Sequence, residues 1–231
     1  MLLLAIDTCT ERLIVGTRSS GKGSDRWTNL DTREAGGPGN HSNDLVEAVR
    51  VLLEGLRPDA VGVALGPGSF TGERIGLASA KGLAEGWGVP LIGLDNLGAM
   101  ADSWGRLVPE SEAAVLPVID ARKKKFYGAL YSHSAMLLAP ADLDPEAWLA
   151  AVTRVWPGPV VLSGYQGHLL ADALGELRPS SWSTLPVHDW APGLLDQLET
   201  GWREGCSLAP DAGPRYLRLS EAEEMLQSRK V

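Results

Sequence analysis

At 231 residues, with 44% apolar and 22% charged residues, the chain has the make-up of a globular protein with one large domain or two small ones. A formal net charge of −8 argues against a protein that holds nucleic acid by its own electrostatics, because phosphate binding rests on Lys and Arg. Its two cysteines, Cys9 and Cys206, lie far apart and form no CxxC, which excludes a disulfide framework and a cysteine zinc site.

The first strand is expected at Leu2–Ile6, wholly apolar as a central strand covered on both faces is. This stretch is too short and too poor in basic residues for a signal peptide. No apolar run approaches the ~18 residues of a membrane span, so a cytoplasmic protein with no membrane partner is expected. Glu11–Ser19 alternates as a second strand, Ser20–Gly23 is a turn, and Asp25–Leu30 completes a meander. Asp31–Asn40, with Gly36-Gly37-Pro38-Gly39, reads as a loop. Ser42–Leu56 carries Leu45, Val46, Val49, Leu52, Leu53 and Leu56 at helical spacing.

Asp59–Leu65 is the next buried strand. It runs into Gly66-Pro67-Gly68-Ser69-Phe70-Thr71-Gly72-Glu73-Arg74-Ile75-Gly76, a glycine-rich turn that opens a helix over Phe70–Gly86. Ser69 or Thr71 is the expected N-cap. Gly72, Gly76, Ala80 and Ala84 recur every fourth residue, so one face of this helix is nearly bare. Each mid-helix Gly costs about 1 kcal/mol relative to Ala, so the bare stripe implies close approach of a phosphate, a neighbouring helix or a partner protein.

A strand at Pro90–Leu94 and a helix at Asn96–Trp104 follow, then a polar stretch, Arg106–Glu112, that reads as a lobe boundary. The second half reopens on the theme of the first, with Ala114–Ile119 ending in Asp120 as Leu2–Ile6 ended in Asp7. Strands at Lys125–Ser132 and Ala135–Leu138, a helix at Pro145–Val152, a strand at Val160–Leu162 and helices at Tyr165–Leu174 and Leu194–Arg203 complete it. The class is α/β or α+β with mixed sheets, α/β being the one expected. The domains are an N-terminal lobe over 1–105, a C-terminal lobe over 106–218 and a charged tail over 219–231.

Few residues carry the pattern of a catalyst. The four histidines, His41, His133, His168 and His188, include no pair at i+3 or i+4, so no helix offers two imidazoles to a metal. Ser69 lies on a strand–turn–helix but lacks the Gly-x-Ser-x-Gly spacing of a nucleophile elbow, which favours a capping role. The glycine turn has no Gly-Lys-Ser/Thr ending for a phosphate cradle. Asp7-Thr8-Cys9-Thr10 is similar to the first phosphate loop of the actin, Hsp70 and sugar-kinase superfamily, with Cys9 where that loop has Gly, so it is expected to be vestigial. The run Arg122-Lys123-Lys124-Lys125 reads first as a solvated hairpin, with a local patch for an anionic partner or RNA as the alternative. The eight tryptophans form no stacking ladder.

Together, Ile6-Asp7-Thr8-x-Thr10, the turn Gly66–Gly76, Val118-Ile119-Asp120-Ala121-Arg122 with Tyr127, and Pro214-x-Tyr216-Leu217-Arg218 resemble the TsaB (YeaZ) family over nearly the whole chain. His41 also matches a His that such proteins often carry at the first helix. The resemblance implies a two-lobe actin-like (ASKHA, ribonuclease H-like) fold with flanking helices. It implies a non-catalytic scaffold for threonylcarbamoyl-adenosine modification at position 37 of ANN-decoding tRNAs. Such a subunit binds and activates the catalytic TsaD, helps recruit the ATPase TsaE, forms a homodimer alone and meets tRNA only through the complex. No cofactor is implied beyond a weak or interface-bound nucleotide. Departures are Glu73, where an apolar or small residue is usual, and the glycine-rich Arg33–Asn40 loop.

The expected partner surface comprises Gly68, Phe70, Thr71, Gly72, Arg74, Ile75, Gly76 and Ala80 with His41 and Leu45. The expected vestigial phosphate loop comprises Asp7, Thr8 and Thr10. On this reading Gly76→Leu or Ala80→Trp removes the complex and spares the fold. Two alternatives of another class are a nucleotide-binding enzyme of the actin-like superfamily, motivated by Asp7, and a glycoprotease-type peptidase, against which the missing metal pair and elbow speak.

Overall fold

The computed structural model describes residues 1–19, 25–31, 41–133 and 135–218. The expected Ser20–Gly23 turn, most of the Asp31–Asn40 loop and the charged tail lie outside the described residues.

The first half runs β1 (Leu2–Asp7), β2 (Arg12–Ser19), β3 (Arg26–Asp31), α1 (His41–Leu53), β4 (Ala60–Ala64), α2 (Phe70–Trp87), β5 (Leu91–Leu94) and α3 (Asn96–Leu107). The second repeats this order with β6 (Ala114–Asp120), β7 (Phe126–Ser132), β8 (Ala135–Leu143), α4 (Pro145–Val155), β9 (Val160–Ser163), α5 (Gly167–Leu174), β10 (Trp182–Thr184) and α6 (Ala191–Arg203). The sheets are ordered β3-β2-β1-β4-β5 and β8-β7-β6-β9-β10. Each is an antiparallel meander continued by two parallel strands. This duplicated topology is the two-lobe, actin-like, ribonuclease H-like fold, and it turns the hinted repeat of apolar run and Asp into a structural one.

The central strands are apolar throughout because helices cover both faces. On one face of the first sheet, α1 and α2 enclose Leu4, Ile6, Val15, Leu45, Val49, Val63 and Leu77. The other face is covered from the second half. Leu194, Leu195 and Leu198 of α6 join Leu3, Ala5, Ile14 and Ile92 in one core, together with Met100 and Ala99 of α3. In return α3 lies against β6, β7 and β9. The last helix of each half thus packs on the other half's sheet, and α3 and α6 pack on each other.

Local boundaries follow capping. Ser69 is the N-cap of α2, its hydroxyl accepting from the Gly72 N–H, and Gly88 in the left-handed region (φ 60) ends the helix. Helix α3 runs on to Leu107, into the polar stretch read as a boundary. Strand β8 extends to Leu143, and β10 was not anticipated because Trp182–Thr184 is too short to show a period.

Candidate functional site

The loop after β1 and the glycine turn after β4 are built against each other. The Ser69 N–H donates to the Cys9 carbonyl at 2.6 Å. A side chain at Gly68 would overlap that carbonyl, which is why glycine stands there. Asn96 Nδ2 donates to the Pro67 carbonyl at 2.9 Å, and the Cys9 thiol faces the Ala64 carbonyl at 3.5 Å. Asp7, Thr8 and Thr10 are all buried. Asp7 Oδ1 accepts the Cys9 N–H at 2.8 Å, and its Oδ2 accepts the Trp190 indole N–H at 2.7 Å. The groups that would greet a phosphate are therefore committed within the protein.

Electrostatics point the same way. Glu73 is only 3% exposed, it accepts the Gly68 N–H, and its Oε2 has no partner. Burial pushes its carboxyl up to about 7, opposed by the Gly68 N–H and reinforced by Asp7. Burial likewise pushes the Cys9 thiol up, with Asp7 and Glu73 adding to it. Held neutral or half-neutral beside the Asp7 carboxylate, these groups offer an anion no positive charge. Among the described residues, no group of three His, Cys, Asp or Glu side chains is placed to hold a metal ion.

The bare stripe faces inward. Gly72, Gly76, Ala80 and Ala84 are buried, and the Thr8 hydroxyl donates to the Gly72 carbonyl at 2.7 Å. A side chain at Gly72 would overlap the Thr8 carbonyl, and one at Gly76 the Thr8 hydroxyl. Leu45 is also fully buried. Gly68, Gly72, Gly76, Ala80 and Leu45, expected on a partner surface, are instead internal packing residues: the first-strand loop takes the space beside the three glycines, and Ala80 and Leu45 pack in the core between the helices and the first sheet. Of the remaining expected surface, Phe70, Thr71 and Arg74 are exposed and Ile75 is half-buried. His41 opens α1, but its side chain lies outside the described residues.

A second bare stripe faces solvent. Ala78, Gly82 and Gly86 are exposed, and a Cβ added at Gly82 or Gly86 would meet nothing within 4 Å among the described residues. The neighbouring helix α1 exposes Val46 (67%) and Val51 (47%). Charged side chains border it: Arg74 and Glu85 on α2, and Glu47 and Arg50 on α1, are exposed as well.

At the N-terminus of α2, the Arg74 guanidinium sits 3.7 Å over the Phe70 ring and its Nε donates to the Tyr216 hydroxyl at 2.9 Å. The Phe70 and Tyr216 rings stack at 5.0 Å. Tyr216 arrives on a closing segment held by backbone bonds from Leu208 to Leu91 and from Arg215 to Leu65, and by Lys81 reaching the Pro210 and Ala212 carbonyls. Sequence reasoning quoted Tyr216 as part of a motif but did not place it in the site. Its only signal was an aromatic beside Arg in an otherwise extended tail.

Between the halves, Glu11 pairs with Arg122 at 2.7 Å and takes a bond from Gln166 at 3.4 Å, while the Gln166 carbonyl accepts the Asp120 N–H at 2.7 Å. Arg12 covers the Tyr165 ring at 5.0 Å. Beside this clasp, Arg122, Lys123 and Lys124 all adopt left-handed backbone, with φ of 62, 53 and 59. Such a conformation costs a non-glycine residue about 1–2 kcal/mol, so the turn is held in place by its surroundings.

The sequence and fold have known likenesses. A family model described as TsaD, tRNA N6-adenosine threonylcarbamoyltransferase, matches residues 39–144. The tRNA threonylcarbamoyladenosine biosynthesis protein TsaB of Escherichia coli (strain K12) is 34% identical over 256 aligned positions, covering 100% of both chains. The protein of that name from Bacillus subtilis (strain 168) is 31% identical over 204, covering 83% of this chain and 86% of the relative. Among solved structures, YeaZ from Pseudomonas aeruginosa superposes with a TM-score of 0.69 at 26% identity, over 94% of this chain and 100% of that one.

Proposed function

Because the chain belongs to the TsaB (YeaZ) family of tRNA threonylcarbamoyladenosine biosynthesis proteins, we propose that it is the non-catalytic scaffold subunit of that modification. In this reading it binds and activates a TsaD-type catalytic subunit through the outer face of α1 and α2. The product is threonylcarbamoyl-adenosine at position 37 of ANN-decoding tRNAs, and the assembled pair helps recruit the ATPase TsaE. The same face closes a homodimer when the chain is alone. No described helix is long and apolar enough to cross a membrane, and the proposed place of work is the cytoplasm, where tRNA is modified.

One observation carries the reading. The outer side of α2 is bare at Ala78, Gly82 and Gly86, and the adjoining helix α1 exposes Val46 and Val51. A helix of another subunit can approach such a face to backbone distance and bury the flanking valines, whereas a monomer gains nothing from it. Phe70 and Arg74 stand exposed at one end of α2 as a preformed aromatic and guanidinium anchor, the residue types that dominate interface energies.

The first-strand loop supports the absence of catalysis. Asp7 is consumed by Cys9 and Trp190, and Glu73 and Cys9 crowd the same spot. We infer that nucleotide, if met at all, is met weakly or at a subunit interface. Co-purification of the full chain with the TsaD-type subunit of the same organism, sized by light scattering, tests the reading. A mixed complex is expected, and two separate species would overturn it.

A further inference from the structure

We propose that the left-handed basic turn Arg122-Lys123-Lys124-Lys125 is a contact site for the phosphate backbone of RNA. The proposal rests on the tRNA-modifying role above and adds to it that this chain itself touches the nucleic acid.

The turn is built to hold cations outward. All four residues are exposed. The loop is closed from below by the Ala121 N–H to the Lys125 carbonyl and the Lys125 N–H to the Arg122 carbonyl, each 3.0 Å, and by the Arg122 N–H to Asp120 Oδ1 at 2.8 Å. Arg218 locks the base further, with Nη1 on the Ala121 carbonyl at 2.9 Å and a bidentate pair to Asp142 at 2.8 and 2.9 Å. A turn needed only to join β6 to β7 would be relieved by glycine or asparagine at its left-handed positions. Here three such positions carry Arg122, Lys123 and Lys124. Long cations on strained, pinned backbone are preorganised for a ligand, because little freedom is lost when the ligand binds.

The ion pairs to Glu11, Asp120 and Asp142 leave the turn's cations in solvent. Asp142 is already answered by the Arg218 fork, and the Lys125 ammonium stands 3.9 Å from it. The Arg122 pairs with Glu11 and Asp120 sit on a guanidinium that is 71% exposed, and exposed ion pairs hold weakly enough to exchange for phosphate.

The chemistry favours RNA over an acidic protein. Lys is depleted at protein–protein interfaces, which centre on aromatic and apolar anchors, and this turn exposes none: its next residue, Phe126, is buried. Successive cations with no apolar partner suit a chain of phosphates. With a net charge of −8 over the whole chain opposing it, the turn assists a binding led by the catalytic subunit. It lies between β6 and β7, on different elements from the α1 and α2 face, so both can be occupied together.

The test uses the full chain in complex with its TsaD-type subunit, and a labelled tRNA transcript titrated over a range of salt. The variants are the doubles K123E/K124E and K123G/K124G. The glycine pair removes both cations while relieving the left-handed strain, so its thermal midpoint is expected at or above that of the parent. That keeps the test open if the glutamate pair folds poorly. The expected result is an intact complex that binds tRNA about tenfold more weakly at about 100 mM salt, with a log–log salt slope shallower by about 1–2. Unchanged affinity and slope in both variants overturn the proposal. Loss of the protein complex with RNA binding retained also overturns it, because the turn would then dock an acidic protein surface. If the parent chain never joins the TsaD-type subunit, the scaffold reading fails instead, and the same variants are compared for tRNA binding by the isolated chain, where equal affinity overturns this proposal.

Discussion

Trp190 donates its indole N–H to Oδ2 of Asp7 at 2.7 Å, and both residues are completely buried. They come from opposite halves of the chain, so the bond ties α6 to the end of the first strand. A carboxylate placed to meet a phosphate or its metal is spent on the fold.

Replacing the indole tests this. Trp190→Phe leaves a buried carboxylate oxygen without its donor and opens a small void. The expected loss is about 2–4 kcal/mol of unfolding free energy, read as a lower urea midpoint at unchanged slope. Calorimetry of the parent with ATP and magnesium is expected to give no micromolar binding. Binding at that strength would return the nucleotide-enzyme alternative.

Gly72→Ala and Gly76→Ala are expected to damage the fold, not a partner surface. At Gly72 the obstacle is the Thr8 backbone carbonyl, which cannot step aside. The overpacking cost of about 1–3 kcal/mol exceeds the ~1 kcal/mol that Ala gains in helix propensity. At Gly76 the obstacle is the Thr8 hydroxyl. Thr8→Ala should therefore rescue Gly76→Ala and leave Gly72→Ala as unstable as before, a coupling that a double-mutant cycle by urea unfolding measures.

Glu73 gives a pH signature. Its folded-state carboxyl titrates near 7 because of burial, well above an exposed glutamate. A raised value means the site is fully favourable below the unfolded value and loses stability as pH rises through 7. Glu73→Gln stays neutral throughout. The variant should match the parent at pH 4 and exceed it by about 3 kcal/mol at pH 8.5, since a tenfold change in proton affinity is worth about 1.4 kcal/mol. Parallel stability curves for the two proteins would contradict this.

Much of the fold was readable because its signals are local. Leu2–Ile6 is apolar throughout, the Leu45 to Leu53 spacing is helical, and Ser69 caps α2 as read. The site was only partly readable, because the direction a helix face points is decided by what packs on it. Gly72, Gly76 and Ala80 form the more regular stripe, yet the loop at Thr8 claims it, and the sparser Ala78, Gly82 and Gly86 are left to solvent. Nothing in a window around Phe70 could reveal Tyr216, which lies far along the chain and reaches the ring only through the closing segment. The exchange of α3 and α6 between the halves is likewise a property of the whole chain.

The outer face of α2 is the proposed docking face for the catalytic subunit. Gly82→Trp probes it directly, because a Cβ there meets no described atom within 4 Å and Trp is a better helix former than Gly. The measurement is the mass, by light scattering, of the variant mixed with the TsaD-type subunit, alongside its circular dichroism. An unchanged spectrum and two separate species are expected where the parent gives one mixed complex. A Gly82→Trp protein that still forms the complex with the parent's affinity would contradict it.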